Sequence, residues 1–412
     1  MILKGGKRYP KTIRSVAPTK HKHGADLTIS FHTDTYKPTI DGHGIDFEIN
    51  AIKHNLKGTI LLNHQTDGMN EMAIKDAIKT GVIDGGAYFR ASETLEPQIA
   101  WLKNVLGKNP SYWSYANGLR DHDEFVSING LVSRLSSVSD TSYDFNDRLG
   151  HKVSTLFNYN ARDIDMQTAL NNSKIALQKA IDEKGWYNDF SHWHWAEFYG
   201  DKNQFSQLMT QTESMLKDVD YIGLGASEAV EYMWLRKQFK RGGIYQDGSE
   251  IVIISENYNT ENIPYSAIDT SLSVEVDLNG TVLEGKDIIS NVGIINKGSN
   301  KYIVQIPYSK YDGFRTVRLK ETSEPKYLIL DKPIVNSSTI NGNTLTVTTD
   351  RPTNVVVFST PIGTELYQTS LIDRSNIMNT THEIKINDVT GKDIYIGAIT
   401  KEKQSTLSKV NV

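Results

Sequence analysis

Cysteine is absent from the 412 residues. That excludes disulfides, thiolate metal sites and cysteine nucleophiles, and leaves any metal to His, Asp and Glu. A cysteine-free chain folds in either redox state, so the compartment stays open. An excess of one charge is also missing: 45 Lys and Arg stand against 49 Asp and Glu, for a formal net charge of -4. No broad basic face is available to a phosphate backbone, and nucleic acid is not expected as a partner. No apolar run approaches the roughly 18 residues that span a bilayer, and the first residues lack the apolar core of a signal peptide. A soluble chain is expected, exported if at all by lysis or by assembly into a particle. Gly-x-Ser-x-Gly, P-loop and dinucleotide fingerprints are missing, and "GLGASEA" from Gly223 lacks the full glycine spacing.

What is present begins with a segment rich in Lys4, Lys7, Arg8, Lys11, Arg14, Lys20 and Lys22 and free of acidic residues. It is expected to be a solvated basic arm over residues 1–25, with docking to a protein partner in an assembly as the alternative. From residue 26 to about 240, short apolar runs alternate with helical patterns. "LTISFHTD", "GTILLN", "VIDGGAYF", "SYWSYANG", "STLFNYN", "WYNDFSHWHW" and "YIGLGA" are expected as strands. "FEINAIKHNL", "NEMAIKDAIKTG", "TLEPQIAWLKNVLG", "MQTALNNSKIALQKAIDEKG", "QFSQLMTQTESMLKDV" and "SEAVEYMWLRKQFK" are expected as helices. Alternation on this scale implies βαβ units, a mainly parallel sheet and an irregular (β/α) barrel over 26–243. After "KRGGIYQDGS" the pattern turns β-rich, with "NG" turns at Asn279 and Asn341. One or two small antiparallel β-sandwich domains are expected, 244–332 and 333–412. The change of period at Gly242–Gly243 predicts that the first part folds without the remainder.

The order of features over about 26–240 resembles the polysaccharide deacetylase (NodB-like) domain, carbohydrate esterase family four. "LTISFHTDTY" sits where that family ends its first strand in a Phe-Asp-x-Asp type motif, and "DVDYIGLGASEAVEYMWLR" looks like its closing strand and helix. The resemblance implies a NodB-type irregular barrel and a hydrolase of acetylated carbohydrate. It also implies a divalent metal, usually zinc, held by one Asp and two His, with a carboxylate base and a late histidine acid. Asp34 matches the metal aspartate. His32 stands in the place of the base, and Gly86 and Arg90 occupy the places of the two metal histidines. His192 or His194 takes the place of the late histidine.

Alternate strand residues share a face, so His32 pairs with Asp34 and His192 with His194. If both strands face inward, these four converge as ligands for zinc or another divalent metal. Asp34, His192 and His194 are then the candidate metal ligands, with His32, Asp34 and His192 as catalytic candidates. Otherwise one histidine pair faces the helices and hydrogen-bonds there. Trp193 and Trp195 point opposite to the histidines. Tyr112, Trp113 and Tyr115, at another strand end, are the candidates for stacking on a glycan. His43 is expected in the loop after the first strand. Arg162, Asp163 and Asp165 either orient a histidine or cap the next helix. Two functions compete: a metal-dependent deacetylase acting on a surface polysaccharide, and an inactive glycan-binding or structural module of a virion or cell-surface assembly. The chain is expected outside the cell in either case.

Overall fold

The computed structural model describes residues 12–34, 43–64, 71–89, 94–115, 132–135, 151–152, 165–190, 204–257, 270–307, 313–364, 366, 368–387 and 389–410. In chain order the first elements are β1 (Thr12–Val16), β2 (Leu27–Asp34), α1 (His43–His54), β3 (Gly58–Leu62), α2 (Glu71–Thr80), β4 (Ile83–Phe89), α3 (Leu95–Leu106), β5 (Tyr112–Tyr115), β6 (Val132–Leu135) and β7 (His151–Lys152). They are followed by α4 (Met166–Asp182), β8 (Trp186–Phe190), α5 (Gln204–Met215), β9 (Tyr221–Gly223) and α6 (Ala226–Gln238). The rest is all β: β10 (Phe239–Asp247), β11 (Glu250–Asn257), β12 (Ser271–Asp277), β13 (Ile288–Ile289), β14 (Ile294–Gly298), β15 (Lys301–Pro307), β16 (Gly313–Glu321), β17 (Val335–Asn341), β18 (Thr344–Pro361), β19 (Ser370–Lys385), β20 (Lys392–Ile399) and β21 (Ser405–Lys409). The chain divides into two compact units, 1–25 with 231–329 and 26–230 with 330–412.

In the second unit, β7-β6-β5-β4-β3-β2-β8 form one sheet in that order, and every neighbour is parallel. β2 is shared: Leu27–Ile29 pair with β9, while Phe31–Asp34 pair with β3. One face of the sheet is apolar. Ile29 and Phe31 of β2, Ile60 and Leu62 of β3, Phe89 of β4, Trp113 of β5 and Tyr187 of β8 join one buried cluster with the helices. The helices supply their stripes at the expected spacing, Leu95, Ile99, Leu102 and Val105 on α3 and Ala169, Leu170, Ala176 and Leu177 on α4. Each such large side chain contributes about 1.5–3 kcal/mol on burial. Asp165 caps α4, its carboxylate accepting from the Thr168 backbone N–H at 2.8 Å and hydroxyl at 2.9 Å.

The opposite face carries polar groups that are also buried, among them Thr28, Ser30, His32, Thr59, Ser114 and Asn188, with Asp84 half-buried at its edge. At its N-terminal end the first turn of α6 docks onto β3 and β4. Ala226 N–H donates to Thr59 Oγ1 at 2.7 Å and Glu228 N–H to Asp84 Oδ2 at 3.3 Å. Gly225 makes that approach possible, because a Cβ there would lie 1.9 Å from Asp84 Oδ2. Burial pushes the Asp84 carboxyl up to about 7 and pulls the nearby buried Lys57 amine down to about 7.

The C-terminal sheet, β17-β18-β20-β21 with β19 on β18, belongs to the same unit as the parallel sheet. Val356, Phe358 and Ile399 lie in the cluster that holds α1. These contacts stand against the expectation that residues beyond about 250 are dispensable for the first part. From Ile45 to Ile52, α1 is buried all round. Two of its acidic residues meet the C-terminal part of the chain through matched groups. Asp46 accepts from the Thr369 N–H at 2.8 Å, and Glu48 and Arg374 form a two-pronged ion pair at 2.5 and 2.6 Å. "TLTVTT" and "NVVVFST", expected as separate strands, are one strand, β18.

In the first unit the antiparallel sheets are β1-β10-β11-β16-β13 and β12-β15-β14. The segment expected to be a solvated arm supplies β1, paired from Thr12↔Tyr245 to Val16↔Gly242. One of its charges is matched: Arg14 reaches Asp277 at 3.1 Å and the Asn279 carbonyl at 2.6 Å. Residues 1–11 lie outside the described residues. Among the described residues no helix is long and apolar enough to cross a membrane.

Candidate functional site

Parallel α/β sheets present their chemistry at the carboxyl ends of the strands. On β2 that end carries His32 and, two residues on, Asp34. His32 is fully buried on the polar face, and its Nδ1 lies 3.0 Å from Asn188 Oδ1 of β8. The Asn188 amide N–H donates in turn to the Tyr112 hydroxyl of β5 at 3.2 Å. The His32 and Tyr112 rings meet edge to face, 5.5 Å apart at 78°. Below them Trp186 Nε1 donates to Ser30 Oγ at 2.9 Å.

These contacts also report the shape of the sheet. β8 and β5 are separated by β2, β3 and β4, and four strand spacings would put them about 19 Å apart in a flat sheet. Direct contact between Asn188 and Tyr112 therefore requires the sheet to curl strongly, with the polar face concave. Among the described residues it is not closed, with β7 at one edge and β8 at the other.

Of the residues singled out from sequence, His32 is in this interior. Asp34 ends β2 and pairs with Leu61, which fixes its backbone; its side chain lies outside the described residues. His192 and His194 lie outside them too, as do Trp193, Trp195, Arg162 and Asp163. His43 opens α1 and is not in a loop. Tyr112 and Trp113, expected to stack on a glycan, are both fully buried. Trp113 faces the helices, packs on Phe89 with centroids 4.6 Å apart and donates to the Pro110 carbonyl at 2.6 Å. Tyr112 faces the interior and holds Asn188. Neither offers an open ring face in this structure, because β5 is an inner strand covered on both sides. Tyr115 ends β5, and its side chain lies outside the described residues.

Gly86 bears on the missing metal motif. A Cβ there would come within 2.8 Å of both the Tyr112 carbonyl and Leu61 Cδ2, so the close packing of β3, β4 and β5 leaves no room for a histidine. Among the described residues no three His, Asp or Glu side chains gather as a metal site. The described part of the interior supplies one imidazole, whose Nδ1 is engaged by Asn188. That donor set does not by itself fit a resident metal.

Asn188 was missed from sequence, although a signal existed: it is the lone amide in "WYNDF", a run otherwise expected to be a buried strand. Its neighbour Asp189 points the other way. Beneath the helices Asp189 accepts from Tyr187 and from Ser173 Oγ, the latter at 3.1 Å. Burial first, and then the Asp189 charge, hold the Tyr187 hydroxyl well above its ordinary pKa. That cluster lies on the helix face, away from the candidate site.

No family model matches the chain. No curated protein matches it either. Among solved structures, a putative polysaccharide deacetylase from Mycobacterium smegmatis is similar at 14% identity and a TM-score of 0.37, covering 54% of this chain and 94% of that one. The Xyl-CE4 domain of a multidomain xylanase from the hindgut metagenome of Trinervitermes trinervoides is similar at 16% identity and a TM-score of 0.31, over 50% of this chain and 89% of that one. A putative glycoside hydrolase/deacetylase from Parabacteroides distasonis is similar at 10% identity and a TM-score of 0.32, over 60% and 80%. At these scores the likeness assigns neither a family nor an activity to this chain.

Proposed function

We propose that the chain is a deacetylase-like hydrolase acting on an acetylated polysaccharide, with its site at the carboxyl ends of the parallel strands. The observation that carries this reading is His32, held in a concave polar interior by Asn188 and Tyr112 two residues before Asp34. Hydrolysis of an acetyl group adds water to the carbonyl, breaks the bond to the sugar nitrogen or oxygen and releases acetate. One group must take a proton from water and another must give one to the leaving atom. In this proposal His32 takes the first, and His192 or His194 gives the second. A divalent metal, zinc as the first candidate, would be held by Asp34 with whichever of His192 and His194 does not give the proton; bound there it would polarise the acetyl carbonyl and make a water more acidic.

A second reading is favoured by Gly86, whose packing excludes the metal histidine of the resembled family. It takes the chain as an inactive glycan-binding or structural module of a virion or cell-surface assembly, with a protein partner at the basic N-terminal segment. One experiment separates the two. The protein is purified without added metal, its zinc is measured, and acetate release is followed on penta-N-acetylchitopentaose and on O-acetylated xylan. Stoichiometric zinc and acetate release, both lost in Asp34→Ala and His192→Ala, support the hydrolase. A metal-free protein that binds these glycans without releasing acetate supports the second reading.

A further inference from the structure

The carboxyl end of β3 carries a second histidine that neither strand period nor family resemblance singles out. His64 follows β3 by two residues, its ring half-exposed, while Gln98 of α3 reaches it from a fully buried position. The orientation of the Gln98 amide is fixed by its neighbours. Its Nε2 donates to the Leu62 carbonyl at 2.9 Å and to the Tyr88 carbonyl at 3.4 Å. Its Oε1 accepts from the His64 backbone N–H at 2.7 Å. Flipping the amide would set its oxygen against two carbonyl oxygens and its NH2 against an N–H, losing every one of these bonds. The Tyr88 carbonyl is held from a second side by Asn63 Nδ2 at 2.9 Å, so the acceptors are fixed as well.

The same Oε1 meets His64 Nδ1. An amide oxygen only accepts, so Nδ1 must carry the proton. In a neutral imidazole the other nitrogen, Nε2, then holds the lone pair. Nε2 makes no hydrogen bond among the described residues and is not sealed from solvent. β3 is the direct neighbour of β2, with Asp34 opposite Leu61, so His64 stands at the same end of the sheet as His32 and Asp34.

We propose that His64 is a ligand-binding residue of this site: Gln98 locks it as the Nδ1–H tautomer, so that Nε2 accepts a hydrogen bond from a sugar hydroxyl or acetamido N–H. Gln98 is a positioning residue that acts through His64. The ligand class rests on the carbohydrate function proposed above, whereas the tautomer rests on the Gln98 geometry alone.

The test uses full-length protein labelled with 15N-histidine at pH 8, with the His64 resonances assigned by their loss in His64→Gln. The expected spectrum shows a protonated Nδ1 and an unprotonated Nε2. Gln98→Leu, which removes the acceptor of Nδ1–H, lets the tautomers mix. On titration with penta-N-acetylchitopentaose, Nε2 of His64 shifts, and His64→Ala, at a half-exposed position, raises Kd about tenfold, the value of one lost hydrogen bond. A protonated Nε2 in the native protein, or a Gln98→Leu spectrum identical to it, overturns the lock. Unchanged glycan affinity in His64→Ala overturns the binding role while leaving the lock in place. If native protein binds neither this glycan nor acetylated xylan, the binding role falls together with the proposed function, and the tautomer spectrum still decides the lock.

Discussion

The Glu48–Arg374 pair offers the sharpest test of how the fold is held, because it joins a helix of the parallel layer to the C-terminal sheet. Both side chains are almost completely buried, at 2% and 5% exposure. Burial by itself lowers the guanidinium pKa, but Glu48 overcomes it and holds Arg374 above its ordinary value. Replacing Arg374 with Met strands a carboxylate in a site where the Thr369 and Gln368 backbone N–H groups already serve Asp46. Breaking one side of such a pair costs about 3–5 kcal/mol. At roughly 2–4 °C per kcal/mol for a unit of this size, Tm should fall by about 6–20 °C. Removing both charges, in Glu48→Leu with Arg374→Met, replaces the pair by apolar groups of similar volume and should recover most of the loss. Calorimetry and urea unfolding of the four proteins give the coupling directly as a double-mutant cycle. A loss below about 1 kcal/mol in Arg374→Met, or additive single effects, would refute a matched buried interface there.

Two further outcomes follow from the same unit. A chain cut after residue 329 should lose the cooperative transition of the parallel layer, since Val356, Phe358 and Ile399 leave the cluster around α1 and Asp46 and Glu48 lose their partners; a native-like melting transition in the shortened chain counts against this. The second outcome is a pH dependence from Asp84, whose native pKa of about 7 lies above its ordinary 3.8. The native carboxyl keeps a proton that the unfolded one has lost. Its stabilisation is therefore complete below about pH 4, declines as pH rises to about 7, and is absent above that. Asp84→Asn, which keeps an acceptor for the α6 N–H groups, should flatten this slope and raise stability by a few kcal/mol at pH 8, as read from urea unfolding at each pH. An unchanged slope would show that Asp84 ionises freely in the native state.

Residue periodicity made much of this molecule legible. The run from Leu27 to Asp34 alternates so that Ile29 and Phe31 share one face and Ser30 and His32 the other, and the fold uses both faces as that alternation implies. Helix stripes such as Leu95, Ile99, Leu102 and Val105 needed no tertiary information. The candidate site was less legible. His32 could be singled out, but its partners Asn188 and Tyr112 come from strands remote in sequence. Trp113, one residue from Tyr112, faces the helices, so an aromatic cluster in sequence was split between two faces.

Sequence alone determined which residues share a face, where helices and strands alternate, and which chemistries the absence of cysteine removes. Only the tertiary structure decided what each face meets. Asp46, Glu48 and Asn50 of α1 are residue types that usually stay solvated, yet all three are buried, with Asp46 accepting from the Thr369 N–H and Glu48 paired with Arg374 of the C-terminal sheet. Periodicity records a side chain's direction within its own element. Whether water, a sheet or a facing strand lies in that direction depends on contacts more than a hundred residues away.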